Sequence, residues 1–415
     1  MKAIQYRIRP PGWVACKLLH YFWPSCRRSC LNGIYLVDVP CPELPGPDWV
    51  CLRTLMGGIC GSDVSLLFQK QPPDSMLQCY CSMPIGLGHE NLAVVEDVGD
   101  NVDRKWIGKK VIVDPTLACM DRGTEPPCDR CAAGEYGVCE NFSGDMGGAA
   151  GLPPATGIGY SNRTGGSWGE YFVAHHRRLI AVDKTVPDNQ AITIDPVACS
   201  LHGIFRTDLK NVETVLVYGA GIIGLGAVAC LRAVGFEGRI DMIGKYSYLE
   251  DLARWKGADE YLTLPGSDEA RARVIASRTG ATLQRARFGN FMLSGGYDLS
   301  VDCIGTARSF TEVLKWTRAR GQVVALGTLQ KESIDLVPLW FRELNIIGVS
   351  GRQLEHFDGD RKETYRIIHD WIKEGKIDLD GLVTHTFKID EYKDALKVAM
   401  NKSRYKAIKV AFDFR

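Results

Sequence analysis

The apolar run Val215–Tyr218 leads straight into Gly219-x-Gly221-x-x-Gly224, and a helix-like stretch, Leu225–Val234, follows it. Few patterns restrict a fold as strongly. The first glycine permits a tight turn, the second lets a phosphate approach the backbone, and the third lets helix and strand pack closely. The helix start then offers free N–H groups and a positive dipole end to a pyrophosphate. Three spaced glycines alone are weak evidence. Here they lie between a strand and a helix, and apolar strands recur at Ile240–Ile243, Tyr297–Val301, Val323–Leu326 and Ile346–Val349, alternating with helical stretches. That alternation predicts βαβ units, a parallel sheet and a dinucleotide site.

The strand after the glycine turn discriminates between NAD and NADP. An NAD site usually ends this strand in a carboxylate that accepts from the ribose 2′-hydroxyl. Here Arg239–Ile243 ends in Gly244, Lys245 and Tyr246, and Asp241 comes too early. A cation beside the missing carboxylate suits a 2′-phosphate, so NADP(H) is favoured over NAD(H). By this reading, Gly244→Asp combined with Lys245→Ala moves the preference toward NAD.

A chain of 415 residues exceeds one ordinary core, and two domains are expected. The 50 basic residues nearly cancel the 49 acidic ones, so no bulk field marks a nucleic-acid or membrane partner. The opening MKAIQYRIRP has no apolar leader core, and no run approaches the ~18 apolar residues of a spanning helix. A cytoplasmic protein is expected, whose 15 cysteines are reduced thiols or metal ligands rather than disulfides.

Three zones differ in texture. Residues 1–187 carry short β-like runs (Val50–Arg53, Leu92–Asp97, Val111–Val113) among many Gly, Pro and Cys, as in a β-rich domain with irregular loops. Residues 188–347 hold the alternating strands and helices. Residues 348–415 add amphipathic stretches at Glu363–Lys373 and Asp390–Met400 and a closing strand, Ala407–Phe412. The segment Trp13–Asn32 is aromatic and cysteine-rich, with Pro24 breaking any helix. It is too short to span a membrane, so a buried or lid-like insertion is expected, with Cys26 and Cys30 as ordinary thiols.

Two groupings carry metal chemistry. Gly58-Ile-Cys60-Gly-Ser62-Asp63 is followed by Gly88-His89-Glu90. A thiolate, an imidazole and a carboxylate suit a catalytic Zn²⁺ that keeps one position open. The second is Cys119-x8-Cys128-x2-Cys131-x7-Cys139, four thiols that match a closed structural zinc site of residues 119–139.

Together with GGSWGEYFV (Gly165–Val173), DPVACSLHG (Asp195–Gly203), VYGAGIIG and VDCIG (Val301–Gly305), these motifs make the chain resemble the zinc-containing medium-chain dehydrogenase/reductase family. The likeness is to its threonine, sorbitol and glucose dehydrogenase branches. The resemblance implies an α/β protein: a doubly wound Rossmann sheet plus a GroES-like, β-rich catalytic domain to which the C-terminal zone returns. It implies Cys60 and His89 as zinc ligands, Glu90 as a carboxylate that ligates or exchanges with water, and Asp195 as a further acid binding zinc or its water. Ser62 would pass the substrate proton onward, and His202 would be a relay or a structural residue. The cofactor would lie on Gly219, Gly221, Ile222, Ile223, Gly224, Gly244, Lys245, Tyr246, Cys303, Ile304, Gly305, Leu326 and Gly327. Departures are the eight-residue first gap of the cysteine lobe, where the family commonly has two, the long insertion before Val37, and the missing Rossmann acid.

The implied activity is zinc-assisted hydride transfer between NADP(H) and a small alcohol or carbonyl compound, by a homodimer or homotetramer. Zinc-free enoyl or quinone reductases of the same superfamily lack the Cys60/His89 pair. A catalytically silent NADP-binding protein would have no need of it.

Overall fold

The computed structural model describes residues 1–71 and 75–415. It divides into two compact units, one of Met1–Asp195, Arg352–Lys373 and Asp380–Arg415, the other of Pro196–Gly351 and Glu374–Leu379.

In the first unit the three expected β-like runs lie inside longer strands, Trp49–Ile59, Glu90–Val98 and Lys110–Val113. These form the centre of a seven-stranded sheet. Its order runs Val383–Phe387, Lys409–Asp413, Trp49–Ile59, Glu90–Val98, Lys110–Val113, Leu179–Ala181, with Tyr171–His175 also paired to Trp49–Ile59. The chain's last strand, Lys409–Asp413, therefore returns to sit beside Trp49–Ile59, with Ala411 opposite Gly58. One core lies among Trp49, Leu52, Val95, Val111 and Phe172; another joins Ile4, Ile59, Trp168, Leu396 and Phe412.

The second unit is built on six parallel strands. In space they run Glu260–Leu262, Arg239–Ile243, Thr214–Tyr218, Tyr297–Asp302, Thr317–Ala325 and Asn345–Gly348. Numbered by their order in the chain this is 3-2-1-4-5-6, the doubly wound arrangement that opens a crevice where the strand order reverses. The reversal falls between Thr214–Tyr218 and Tyr297–Asp302. Leu326, read from sequence as the end of a strand, lies past it. Both Leu326 and Gly327 donate backbone N–H groups to the Asp302 carbonyl, at 3.0 and 2.7 Å.

The segment Trp13–Asn32 is an excursion between two paired strands. Lys2–Tyr6 and Ile34–Asp38 are antiparallel with Tyr6 opposite Ile34, so residues 7–33 fill the place of a hairpin loop. A helix, Pro10–Leu19, ends before Pro24, and 3-10 turns at Pro24–Arg28 and Cys30–Asn32 bring the chain back. The segment is not buried as a whole. Cys16, Cys26 and Asn32 are, while Tyr21, Phe22 and Trp23 stand in solvent. Cys26 has a neighbour that the sequence did not single out: its Sγ lies 3.2 Å from that of Cys16.

Candidate metal centres and dinucleotide site

Sheet register builds the first candidate metal cluster. Gly58 pairs with Glu90 across the neighbouring strands, so Cys60 and His89 leave the sheet at the same end. Cys60 then becomes the N-cap of the helix Gly61–Leu67, where its N–H donates to the Asp63 carboxylate at 2.8 Å. The glycines make room. A Cβ on Gly58 would sit 2.1 Å from Oε2 of Glu90, and one on Gly57 would sit 2.1 Å from the Ser167 carbonyl. Ser167 and Trp168 lock the same corner: the serine hydroxyl donates to the Glu90 carbonyl at 2.6 Å and the indole N–H to the Gly58 carbonyl at 2.9 Å.

Donor atoms of Cys60, His89 and Glu90 lie within 4.8 Å of one another. Thiol, imidazole and carboxylate are the donor types zinc takes in catalytic sites, and one donor atom of each lies close enough to the others for a single ion, so the residues fit it. Asp195 stands outside this cluster. It opens the helix Ile194–Phe205, and its carboxylate accepts hydrogen bonds from the Arg352 guanidinium and the Tyr365 hydroxyl. Burial pushes the Asp195 carboxyl up, but Arg352, His89 and the Tyr365 bond outweigh it and leave it below its ordinary value. His202 lies further along that helix, buried in the second unit.

Five residues that sequence reasoning gave no role complete the surroundings: Asp63, Tyr160, Arg352, Tyr365 and Lys409. Asp63 Oδ1 lies 4.0 Å from His89 Nδ1, close enough for electrostatic attraction but not for a hydrogen bond. Burial pushes the Asp63 carboxyl up to about 7, against the pull of His89. Tyr160 stacks on His89 with ring centroids 5.4 Å apart and donates to the Ser62 hydroxyl at 3.0 Å. The Lys409 ammonium donates to both Glu90 oxygens. Burial raises the Cys60 thiol and the Glu90 charge raises it further, while Lys409 counteracts both. A lysine inside the otherwise apolar Ala407–Phe412 was a signal the sequence offered.

In the second cluster all four cysteines converge, Cys119 included, with sulfurs within 4.8 Å. A zinc ion with four Zn–S bonds of roughly 2.3 Å holds its sulfurs roughly 3.8 Å apart. The Cys119–Cys139 and Cys128–Cys139 separations, 3.7 and 4.0 Å, match. The long first gap is absorbed by a helical turn, Cys119–Arg122, closed by Gly123 at φ +65°. Backbone N–H groups of Cys128, Cys131 and Asn141 donate to the sulfurs of Cys119, Cys128 and Cys139. Such donors favour thiolates, and a hydrogen bond from Cys131 pulls Cys139 down to about 5.

The glycine turn has the geometry its spacing requires. Gly219 has φ +118°, Gly221 caps the helix Ile222–Ala233, and a Cβ on Gly224 would meet the Gly219 carbonyl at 1.8 Å. A Cβ on Gly221 would meet no protein atom within 4 Å, so nothing crowds the helix start. Ile304 abuts Gly219, and Gly305 and Gly327 touch backbone to backbone, which brings the loops carrying Cys303 and Leu326 to the same sheet end. Asp241 is no cofactor residue: it is fully buried, bonded to Arg278 at 2.9 Å and Tyr297 at 2.7 Å. A side chain at position 244 would also have to displace a neighbour. A Cβ there would sit 1.8 Å from the Tyr261 hydroxyl, which donates to the Tyr246 carbonyl. Gly244→Asp is therefore a poor probe of cofactor choice. Lys245 is exposed, its ammonium 5.6 Å from the Tyr246 ring centre.

Residues 46–184 match the alcohol dehydrogenase GroES-like domain family, and residues 223–373 match the zinc-binding dehydrogenase family. L-threonine 3-dehydrogenase of Anaeromyxobacter dehalogenans is 29% identical over 88% of this chain and 92% of its own length. L-idonate 5-dehydrogenase of Vitis vinifera is 26% identical over 92% and 93%. Among solved structures, a zinc-binding dehydrogenase from Sinorhizobium meliloti bound to NADP superposes with TM-score 0.71 at 24% identity, over 99% of this chain and 98% of that one. The chain belongs to the zinc-containing medium-chain dehydrogenase/reductase, or alcohol dehydrogenase, superfamily, in its threonine/sorbitol-dehydrogenase-like branch.

Proposed function

We propose that this chain is a zinc-dependent oxidoreductase that moves a hydride between NADP(H) and an alcohol or carbonyl substrate. The observation that carries the reading is the convergence of Cys60, His89 and Glu90 in a chain whose other unit bears a glycine turn on a 3-2-1-4-5-6 sheet. Cys60, His89 and Glu90 would hold the catalytic zinc, with Asp195 as the outer carboxylate; Cys119, Cys128, Cys131 and Cys139 would hold a structural one. When bound, zinc supplies a Lewis acid for the substrate oxygen and the nicotinamide supplies the hydride acceptor or donor.

The chain's own residues manage protons and charge. Ser62 accepts a hydrogen bond from Tyr160, which leaves its own proton free to pass outward as it takes one from the substrate. Lys409 neutralises Glu90, the Asp63 carboxylate faces His89 at 4.0 Å, and Arg352 with Tyr365 fixes Asp195.

The finer assignments rest on separate features. Lys245 beside a glycine supports NADP over NAD. The two relatives above are named for hydroxy acids, so polar secondary alcohols head the substrate panel. The edge strand Asn345–Gly348 pairs on one side only among the described residues, and Leu336, Val337, Trp340 and Phe341 are exposed in the same unit. This supports a homodimer or homotetramer. No helix of the described residues is long and apolar enough to cross a membrane, and we place the chain in the cytoplasm, where its free thiols stay reduced. Cofactor-linked turnover across a panel of alcohols and ketones, with NADP and NAD in parallel, tests the reading. Absence of any turnover by zinc-loaded protein would refute it.

A further inference from the structure

We propose that the insert at residues 7–33 is a docking tip for anionic lipid surfaces. Its position is the first ground. The insert replaces the loop of the Lys2–Tyr6/Ile34–Asp38 hairpin, whereas hairpins are usually closed by two to five residues.

The second ground is its architecture. The base is pinned to the end of the helix Gly61–Leu67: Asn32 donates to the Leu67 carbonyl at 3.0 Å, and Gln69 donates to the Trp13 carbonyl and to Asn32, each at 2.9 Å. The Arg27 guanidinium lies over the Phe68 ring at 4.9 Å, and the buried Cys16 and Cys26 bring helix and return turn together. From this anchored base the far end carries Leu18, Tyr21, Phe22 and Trp23, exposed by 67, 78, 91 and 50%. With Leu19, also exposed, these are five large apolar side chains within six positions, an interaction surface rather than scattered exposure.

The third ground is charge and decides the occupant. Residues 1–37 contain Lys2, Arg7, Arg9, Lys17, Arg27 and Arg28 and no Asp or Glu. Among the described residues, Lys2 pairs with Asp390, and Arg27 and Arg28 are held by the Phe68 ring and the Lys393 carbonyl, while the exposed Arg7, Arg9 and Lys17 have no carboxylate within ion-pair distance. Aromatic side chains flanked by cations are the composition of segments that rest at a lipid interface, rings at the headgroup level and cations on anionic headgroups. This differs from spanning, which the length of the segment forbids. It also differs from the near-zero net charge of the whole chain, which averages the tip away.

The test is co-sedimentation of the full chain with vesicles of phosphatidylcholine alone or of equal parts phosphatidylcholine and phosphatidylserine. The expected result is sedimentation with the anionic vesicles only, weakened by added salt. Phe22→Ser with Trp23→Ser should lower that binding roughly tenfold or more, by loss of the buried apolar area. Both residues are remote from the metal-binding cluster in sequence and exposed, so zinc content and thermal midpoint should match the wild type. Should the aromatic pair prove to disturb folding, Arg9→Gln with Lys17→Gln tests the charge half, and it too should weaken binding. No sedimentation, equal binding to neutral vesicles, or full binding by both variants would overturn the proposal. So would a fall in solution mass in the aromatic variant, which would show that the tip covers a second copy of the chain.

Discussion

The Lys409 ammonium donates to both carboxylate oxygens of Glu90, at 2.6 and 2.5 Å, and neither residue is open to water. Lys409 comes from the closing strand and Glu90 from the strand that follows His89, so one ion pair ties the closing strand to the cluster of Cys60, His89 and Glu90. Burial disfavours the Lys409 charge, and Glu90 more than restores it.

Breaking this pair from one side should be costly. Lys409→Met leaves a buried carboxylate without a partner, a loss of about 3–5 kcal/mol. Adding Glu90→Gln should recover part of it, because both charges are then gone. Urea unfolding of the two single variants and the double variant gives the coupling directly. Effects that simply add would mean that the pair does not act as a unit.

The cysteine lobe should behave as one closed site in which Cys119 is a full member. Cys119→Ser and Cys131→Ser should each remove one zinc per chain and lower the thermal midpoint, because a structural site contributes folding free energy. Metal analysis checks the count. A Cys119→Ser protein that keeps both zinc ions would mean that the remaining three sulfurs suffice.

Cofactor choice is best probed at Lys245. Lys245→Ala should lower kcat/KM for NADP roughly tenfold, the loss of about one charge-assisted hydrogen bond, and leave NAD almost unaffected. Gly244→Asp should instead destabilise the fold, by about 1–3 kcal/mol, because its side chain would displace the Tyr261 hydroxyl. Equal losses with both cofactors in Lys245→Ala would remove Lys245 from the 2′-phosphate.

A self-association surface at the Asn345–Gly348 edge should tolerate no charge. Trp340, 80% exposed in the isolated chain, is the most prominent side chain of the neighbouring helix Val337–Phe341. Light scattering should give a multiple of the chain mass for the wild type and a lower multiple for Trp340→Glu. A wild type of single-chain mass would contradict this.

How much of this was readable beforehand follows from the range of the interactions. The glycine turn, the strand alternation and the CxxC were legible because each acts within a few residues. The convergence of Cys60, His89 and Glu90 was expected from motifs, and its cause, the Gly58–Glu90 register, is a sheet property. Lys409, Arg352 and Tyr365 were missed because their partners lie 150 to 320 residues away and no local spacing marks them. Position 244 shows a long-range influence of another kind. The missing carboxylate was read as cofactor selectivity, and the sequence could not show that a side chain there also meets the Tyr261 hydroxyl from the next strand.

The central claim is that the cluster of Cys60, His89 and Glu90 carries the chemistry. The most direct measurement is NADP-linked turnover of Cys60→Ser beside the wild type, on whichever alcohol of the panel the wild type oxidises fastest. The account predicts turnover in the wild type and none in the variant, with the thermal midpoint close to unchanged because the cysteine lobe is untouched. Turnover persisting in Cys60→Ser would contradict it.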